Sequence, residues 1–174
     1  MQDLKGKIRN VQDFPKPGIG FKDITTLIKD AAAFKQSIDT IANQYNPDDI
    51  DVIVGIESRG FIFGAALAYK WGKSFVPVRK PGKLPAQTIR EEYQLEYGSD
   101  AVEIHKDAIT PGQRVLIIDD LLATGGTVAA AANLVERLSG NIMGICFLIE
   151  LSFLKGREKL RRYKVHALIA FENE

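Results

Sequence analysis

"VLIIDDLLATGGTVAAAANLV", residues 115 to 135, joins aliphatics, two acids, a Thr-Gly-Gly-Thr turn and an alanine-rich run in one unit. A short apolar run closed by a turn signal fits a strand buried on both faces, and the alanine-rich run fits the helix that follows it. The chain is expected to leave the sheet after Ile118. Gly125 and Gly126 then turn the backbone tightly with its N–H groups facing inward, and Thr127 opens the helix.

A phosphate at such a turn meets unpaired helix N-terminal amides and the hydroxyls of Thr124 and Thr127. The helix dipole contributes only ~0.3–1 kcal/mol. Hydrogen bonds to a charged group contribute ~1.5–3 kcal/mol each, so the converging loop amides decide whether the anion is held. Asp119 and Asp120 would repel that phosphate on contact. They are expected to face something that favours carboxylates: sugar hydroxyls, a divalent cation or a developing positive charge. A phosphorylated sugar with free hydroxyls satisfies both halves of the loop.

Outward from this unit the chain alternates. "DVIVGIE" (51–57), "SFVPVR" (74–79), "RVLIIDD" (114–120), "IMGICFLIE" (142–150) and "VHALIAF" (165–171) read as strands. Phe34, Ile38, Ile41 and Tyr45 fall at helical spacing, and "GFIFGAALAYKW" and "TVAAAANLVERL" follow the first and third strands as helices. The pattern predicts an α/β fold, a mostly parallel sheet flanked by helices, in one domain over 1–174. Ligands in such sheets bind beyond the carboxyl ends of the strands, which points to Glu57–Gly60, Arg79–Lys83 and Asp119–Thr127. Two segments break the alternation. Residues 10–27 are rich in Pro and Gly and read as extended or turning. The connection over 80–113 is long enough to act as a lid, with "TIREEYQLEY" and "AVEIHK" as arms of a hairpin.

Composition excludes several classes of function. Lys and Arg number 23 against 22 Asp and Glu, a net charge of +1, so no global field recruits nucleic acid or an anionic membrane. No apolar run approaches the ~20 residues that span a bilayer, and "MQDLKGKIRN" has no signal-peptide core, so a cytoplasmic location is expected. The lone Cys146 fits a reducing compartment and reads as a buried small hydrophobe. His105, His166 and Trp71 receive no catalytic role. Other phosphate motifs fail: the Gly72-Lys73-Ser74 sequence has Leu67 where a Walker loop needs glycine, and Gly55 to Gly60 continues with Phe61.

"VLIIDDLLATGGT" resembles the phosphoribosyl diphosphate (PRPP) signature of type I phosphoribosyltransferases, in the version carried by the adenine-specific branch of that family. "FPKPGIGFKDIT", "GIESRGFIFG", "RKPGKLP", "LEYG" and "LKGREKL" resemble that branch's motifs in the right order across nearly the whole chain. The resemblance implies a twisted sheet with a small base-binding hood (1–30) and a flexible lid within 80–113. It implies transfer of ribose 5-phosphate from PRPP to N9 of adenine, giving AMP and pyrophosphate, with Mg2+ held mainly by substrate oxygens and no dedicated metal site. A homodimer is implied as well.

By the same resemblance, Ala123, Thr124, Gly125, Gly126 and Thr127 hold the 5-phosphate, and Asp119 and Asp120 address the ribose hydroxyls. Glu57, Ser58, Arg59 and Gly60 resemble the pyrophosphate loop, which in the family often contains a non-proline cis peptide. Arg79, Lys80 and Lys83 add positive charge. Phe21 matches the aromatic stacked on adenine, with the backbone of Gly20 and Lys22 reading the base edge. Glu96 and Tyr97 belong to the lid, with Glu96 managing the proton at N7; with Arg59 they form the implied catalytic set. Lys22 and Glu57 stand where some members carry Arg and Asp. Enzymes for hypoxanthine and guanine generally resemble "DTGKT" at the phosphate loop, and Ala123 removes that first carboxylate. PRPP-sensing regulators of similar fold carry an added DNA-binding domain, for which 174 residues leave no room.

Overall fold

All five apolar runs become strands of one parallel sheet. The computed structural model describes residues 3–94 and 98–173. Its elements in chain order are β1 (Arg9–Val11), β2 (Phe21–Asp23), α1 (Thr25–Ile28), α2 (Ala31–Ala42), β3 (Val52–Ile56), α3 (Gly60–Trp71), β4 (Ser74–Val78), β5 (Thr88–Gln94), β6 (Ser99–His105), β7 (Arg114–Leu122), α4 (Gly126–Arg137), β8 (Asn141–Leu151) and β9 (Val165–Phe171). The sheet order is β4-β3-β7-β8-β9, so the strand order reverses between β3 and β7. That reversal opens a crevice at the carboxyl ends of β3 and β7, where open α/β sheets bind ligands.

The central strands are apolar on both faces because both faces are covered. Val115 and Ile117 of β7 join Val128, Leu134 and Val135 of α4 and Val102 and Ile104 of β6 in one core. Leu116 and Ile118 point the other way, into a second core with Ile38 and Ile41 of α2 and Phe63 and Leu67 of α3. Cys146 of β8 is fully enclosed in that second core. Burial pushes its thiol up to about 12. Ellman's reagent is therefore expected to leave the native protein unlabelled and to titrate one thiol per chain once denaturant is added; prompt labelling of the native protein would contradict this burial.

Three details differ from the sequence reading. The chain does not leave the sheet at Ile118: β7 continues to Leu122, with Asp119 opposite Phe147 and Leu122 opposite Glu150. On its other side β7 loses β3 after the Gly55–Ile118 pair. The long β8 keeps one edge of β7 hydrogen-bonded while the other edge opens, so the two acids sit on a held strand at the rim of the crevice. Tyr45 lies beyond α2, which ends in tighter turns where Gln44 N donates to Ile41 O at 3.0 Å and Tyr45 N to Ala42 O at 3.4 Å. The helix opens at Gly126 and not at Thr127, and Gly125, its N-cap, takes the positive φ of 77°.

The two irregular segments are antiparallel ribbons. β1 and β2 pair Val11 with Phe21 across a turn that contains the cis Phe14–Pro15 bond. β5 and β6 form the expected hairpin, from Thr88 opposite His105 to Gln94 opposite Ser99. It is tied to α4 through Glu91, whose carboxylate accepts from Asn133 Nδ2 at 3.0 Å and from Arg137 at 2.9 Å. Glu96 and Tyr97 lie outside the described residues.

Candidate active site

The glycine turn after β7 builds an anion cradle from backbone alone. The first backbone bond into α4 is donated by Ala129 N to Gly125 O at 3.0 Å, so the amides from Thr124 to Val128 have no backbone acceptor among the described residues. They surround a cavity of about 80 Å³ lined by Asp119 and the loop from Ala123 to Thr127. Its size suits a phosphate group, and amides with the helix N-terminus behind them supply the donors.

Asp119 lines the cavity, and Asp120 follows it on β7. Asp119 Oδ1 accepts from the Asp120 amide at 2.8 Å. Asp120 is buried, and its Oδ2 lies 2.8 Å from Arg59 Nε. Burial first, and then the neighbouring Asp120 charge, pushes the Asp119 carboxyl well above the usual carboxylate range. Burial raises Asp120 too, against the opposing pull of the Arg59 guanidinium. Two carboxylates held this close attract hydroxyl donors or positive charge.

Across the switch point, the loop between β3 and α3 contains a cis Glu57–Ser58 peptide, which the sequence alone could not show. Gly60 lets this loop touch β7, because a Cβ there would stand 2.8 Å from Asp119 Oδ1 and 2.9 Å from Ile118 O. Any side chain at 60 would push the Glu57–Gly60 loop and β7 apart. Glu57 takes a fork from Arg79, with Nε and one NH2 each 3.2 Å from its oxygens, and accepts from the Lys80 amide at 2.9 Å. Burial pushes the Glu57 carboxyl up, but these donors outweigh it and leave it below its ordinary value. Lys80 pairs with Asp100 and with the Tyr93 hydroxyl. Ser58 is exposed, and Lys83 has no ion pair among the described residues.

The N-terminal ribbon reaches the same crevice through Arg59. Its guanidinium carbon stands 5.0 Å above the Phe21 ring while its Nε holds Asp120, so one side chain touches the aromatic and the acid pair. Phe14 packs edge-on against Phe21 at 5.2 Å. Lys22 is buried, donating to Asn10 Oδ1 at 3.1 Å with Phe171 beneath its ammonium at 4.8 Å.

The structure thus gathers Phe21, the Glu57–Gly60 loop, Arg79, Lys80, the two acids and the glycine turn around one crevice. Sequence reasoning missed Asp100 and Tyr93, the partners of Lys80, and Gly156, whose backbone lies against the glycine turn. "LKGREKL" drew notice as a motif, with no role attached.

Residues 25–172 match the model of the phosphoribosyl transferase domain. An adenine phosphoribosyltransferase of Clostridium perfringens is 59% identical over 169 residues, covering 97% of this chain and 98% of that protein. The crystal structure of adenine phosphoribosyltransferase from Thermoanaerobacter pseudethanolicus superposes with a TM-score of 0.94 at 58% identity, covering 97% of this chain and 98% of its own. The Saccharomyces cerevisiae enzyme, solved with an imino-altritol bisphosphate and adenine, reaches a TM-score of 0.90 at 45% identity over 95% of this chain and 96% of that one.

Proposed function

The chain belongs to the phosphoribosyl transferase family, in its adenine phosphoribosyltransferase branch, whose reaction in purine salvage makes AMP and pyrophosphate from adenine and PRPP, and we propose that it performs this reaction with the residues gathered at the β3–β7 switch point. The observation that carries the assignment is the amide cradle of Thr124–Val128 standing beside the adjacent carboxylates of Asp119 and Asp120. The cradle holds the 5-phosphate. The carboxylates accept from the 2- and 3-hydroxyls and oppose the positive charge that grows on the ribose ring as pyrophosphate leaves C1.

Glu57, Ser58, Arg59 and Gly60 flank the pyrophosphate, with Arg79, Lys80 and Lys83 supplying cations. Phe21 stacks on adenine, and the backbone of Gly20 and Lys22 reads its edge, as the burial of the Lys22 side chain allows. Glu96 and Tyr97 in the β5–β6 connection close over the purine, exclude water from an oxocarbenium-like centre, and place a carboxyl at N7. Mg2+ would be carried mainly on substrate oxygens, and its chemistry there would be neutralisation of the leaving pyrophosphate.

Two further readings concern assembly and location. We infer a homodimer from α3, which is apolar on nearly every face yet leaves Tyr69 92% exposed; helices of that composition are ordinarily covered all round. We place the protein in the cytoplasm, since the unpaired Cys146 fits a reducing compartment. No helix among the described residues is long and apolar enough to cross a membrane.

The base assignment has a direct test. A backbone carbonyl that accepts from the 6-amino group and an N–H that donates to N1 both oppose hypoxanthine, which carries an oxygen at position 6 and a proton at N1. Each buried mismatch costs ~1–3 kcal/mol, so kcat/KM should favour adenine by at least about a hundredfold. Product formation with each purine, PRPP and Mg2+ measures it, and comparable rates with hypoxanthine would overturn the adenine assignment.

A further inference from the structure

Against the turn that forms the phosphate cradle lies a second glycine, Gly156. A Cβ built on Gly156 would overlap the carbonyl oxygen of Ala123 and stand 2.9 Å from Leu122 Cδ1, while a Cβ on Gly125 would stand 2.5 Å from the carbonyl oxygen of Gly156. Two backbones therefore meet with no side chain between them. Such contact removes the space into which a glycine-rich turn would otherwise relax.

The segment carrying Gly156 is itself fastened. Lys155 before it takes a left-handed φ of 54°. Arg157 after it donates through Nε and NH2 to the two Glu150 oxygens, at 2.7 Å each, and through NH1 to Val165 O at 2.9 Å. Leu160 then enters the core. Glu150 pairs with Leu122, the last strand residue before the cradle, so clamp and cradle are referenced to the same rung of the sheet. An arginine fork on a carboxylate fixes orientation as well as distance, which a lysine cannot reproduce.

We propose that Gly156 is a positioning residue for the 5-phosphate: clamped by the Arg157–Glu150 fork, its backbone holds Ala123–Gly125 in the conformation that aims the loop amides at the phosphate. The proposal rests on the reading that this loop binds the 5-phosphate. The clamp orders the amides before ligand arrives, so binding does not have to order them. Loosening it should weaken phosphate-bearing ligands and spare those without phosphate.

Calorimetry with AMP and adenosine separates the possibilities. Thr127→Asp places a carboxylate in the cradle at a helix start that tolerates acids, and should lower AMP affinity to the level of adenosine. If AMP binds Thr127→Asp as it binds wild type, the loop does not hold the phosphate and the proposal falls with that reading. Gly156→Ala should weaken AMP at least about tenfold with adenosine unchanged. Arg157→Lys inserts no atom against the loop and should give the same selective loss at smaller size, which covers the case in which Gly156→Ala fails to fold. Loss of AMP affinity in Thr127→Asp together with wild-type AMP affinity in Arg157→Lys, or in a folded Gly156→Ala, would leave the phosphate loop assigned and overturn the role of Gly156. Equal losses for AMP and adenosine would mark a general structural defect and overturn it as well.

Discussion

Asp119→Asn is expected to unfold at a higher temperature than the wild type while turning over at least about a hundredfold more slowly, the loss set by hydrogen bonds to a charged group at ~1.5–3 kcal/mol each. The opposite signs follow from the carboxylate's position. Burial and the adjacent Asp120 raise its folded-state pKa, so ionisation at neutral pH destabilises the native state. Asparagine keeps the Oδ1 that accepts from the Asp120 amide and removes the charge. In the window between the ordinary carboxylate value and the raised one, the folded protein binds more protons than the unfolded chain. Wild-type stability should therefore rise as pH falls through that window, and the advantage of asparagine should shrink. Thermal melts at several pH values alongside steady-state rates check both halves. Stability falling in step with activity would mean that Asp119 is a structural acid and not a ribose ligand.

Gly125→Val should be more damaging still, with kcat/KM for PRPP reduced by about a thousandfold or more. Two costs combine: a β-branched residue at φ 77°, which alone is worth about 1–3 kcal/mol, and a Cβ 2.5 Å from the Gly156 carbonyl. Relief of either one moves the amides that meet the phosphate. Gly126→Val is expected to do less. Its Cβ would meet the ring of Tyr93 at 3.1 Å, and a side chain on a two-stranded ribbon can shift more readily than a backbone carbonyl clamped to the sheet. Kinetics of the two variants side by side decide the point: a larger defect at 126 than at 125 would show that the turn's strain is not what shapes the cradle.

This contrast also shows what the sequence could and could not say. A Gly-Gly pair announces a tight turn, but which glycine takes the left-handed conformation depends on where the helix begins, and that is settled by packing. The five strands were legible because each is a contiguous apolar run covered on both faces, a signal that needs no knowledge of neighbours. The end of β7 was not, because Asp119 to Leu122 remain in the sheet only through the length of β8, a strand that comes later in the chain. Tyr45 kept helical spacing yet fell outside α2, since spacing records the pattern of apolar residues and not where the hydrogen-bond ladder tightens. The cationic residues Arg59, Arg79 and Lys80 were identifiable by their place after strand ends. Their pairings with acids were not, since Glu57 and Arg79 are 22 residues apart and Lys80 and Asp100 are 20 apart, with no local pattern linking them.

Those partnerships give the crevice an unusual electrical character. Arg59 rests on Asp120, Arg79 on Glu57 and Lys80 on Asp100, so three of the four cations assigned to the pyrophosphate are already paired with carboxylates of the protein. In the proposed assignment, PRPP enters by substitution: its oxygens displace carboxylates that already occupy the same guanidinium and ammonium groups. The three acids thus act as internal competitors of the leaving group. They temper the grip on substrate, and once the bond to C1 has broken they stand ready to reclaim their partners, giving pyrophosphate a way out of a pocket that would otherwise retain so charged a product.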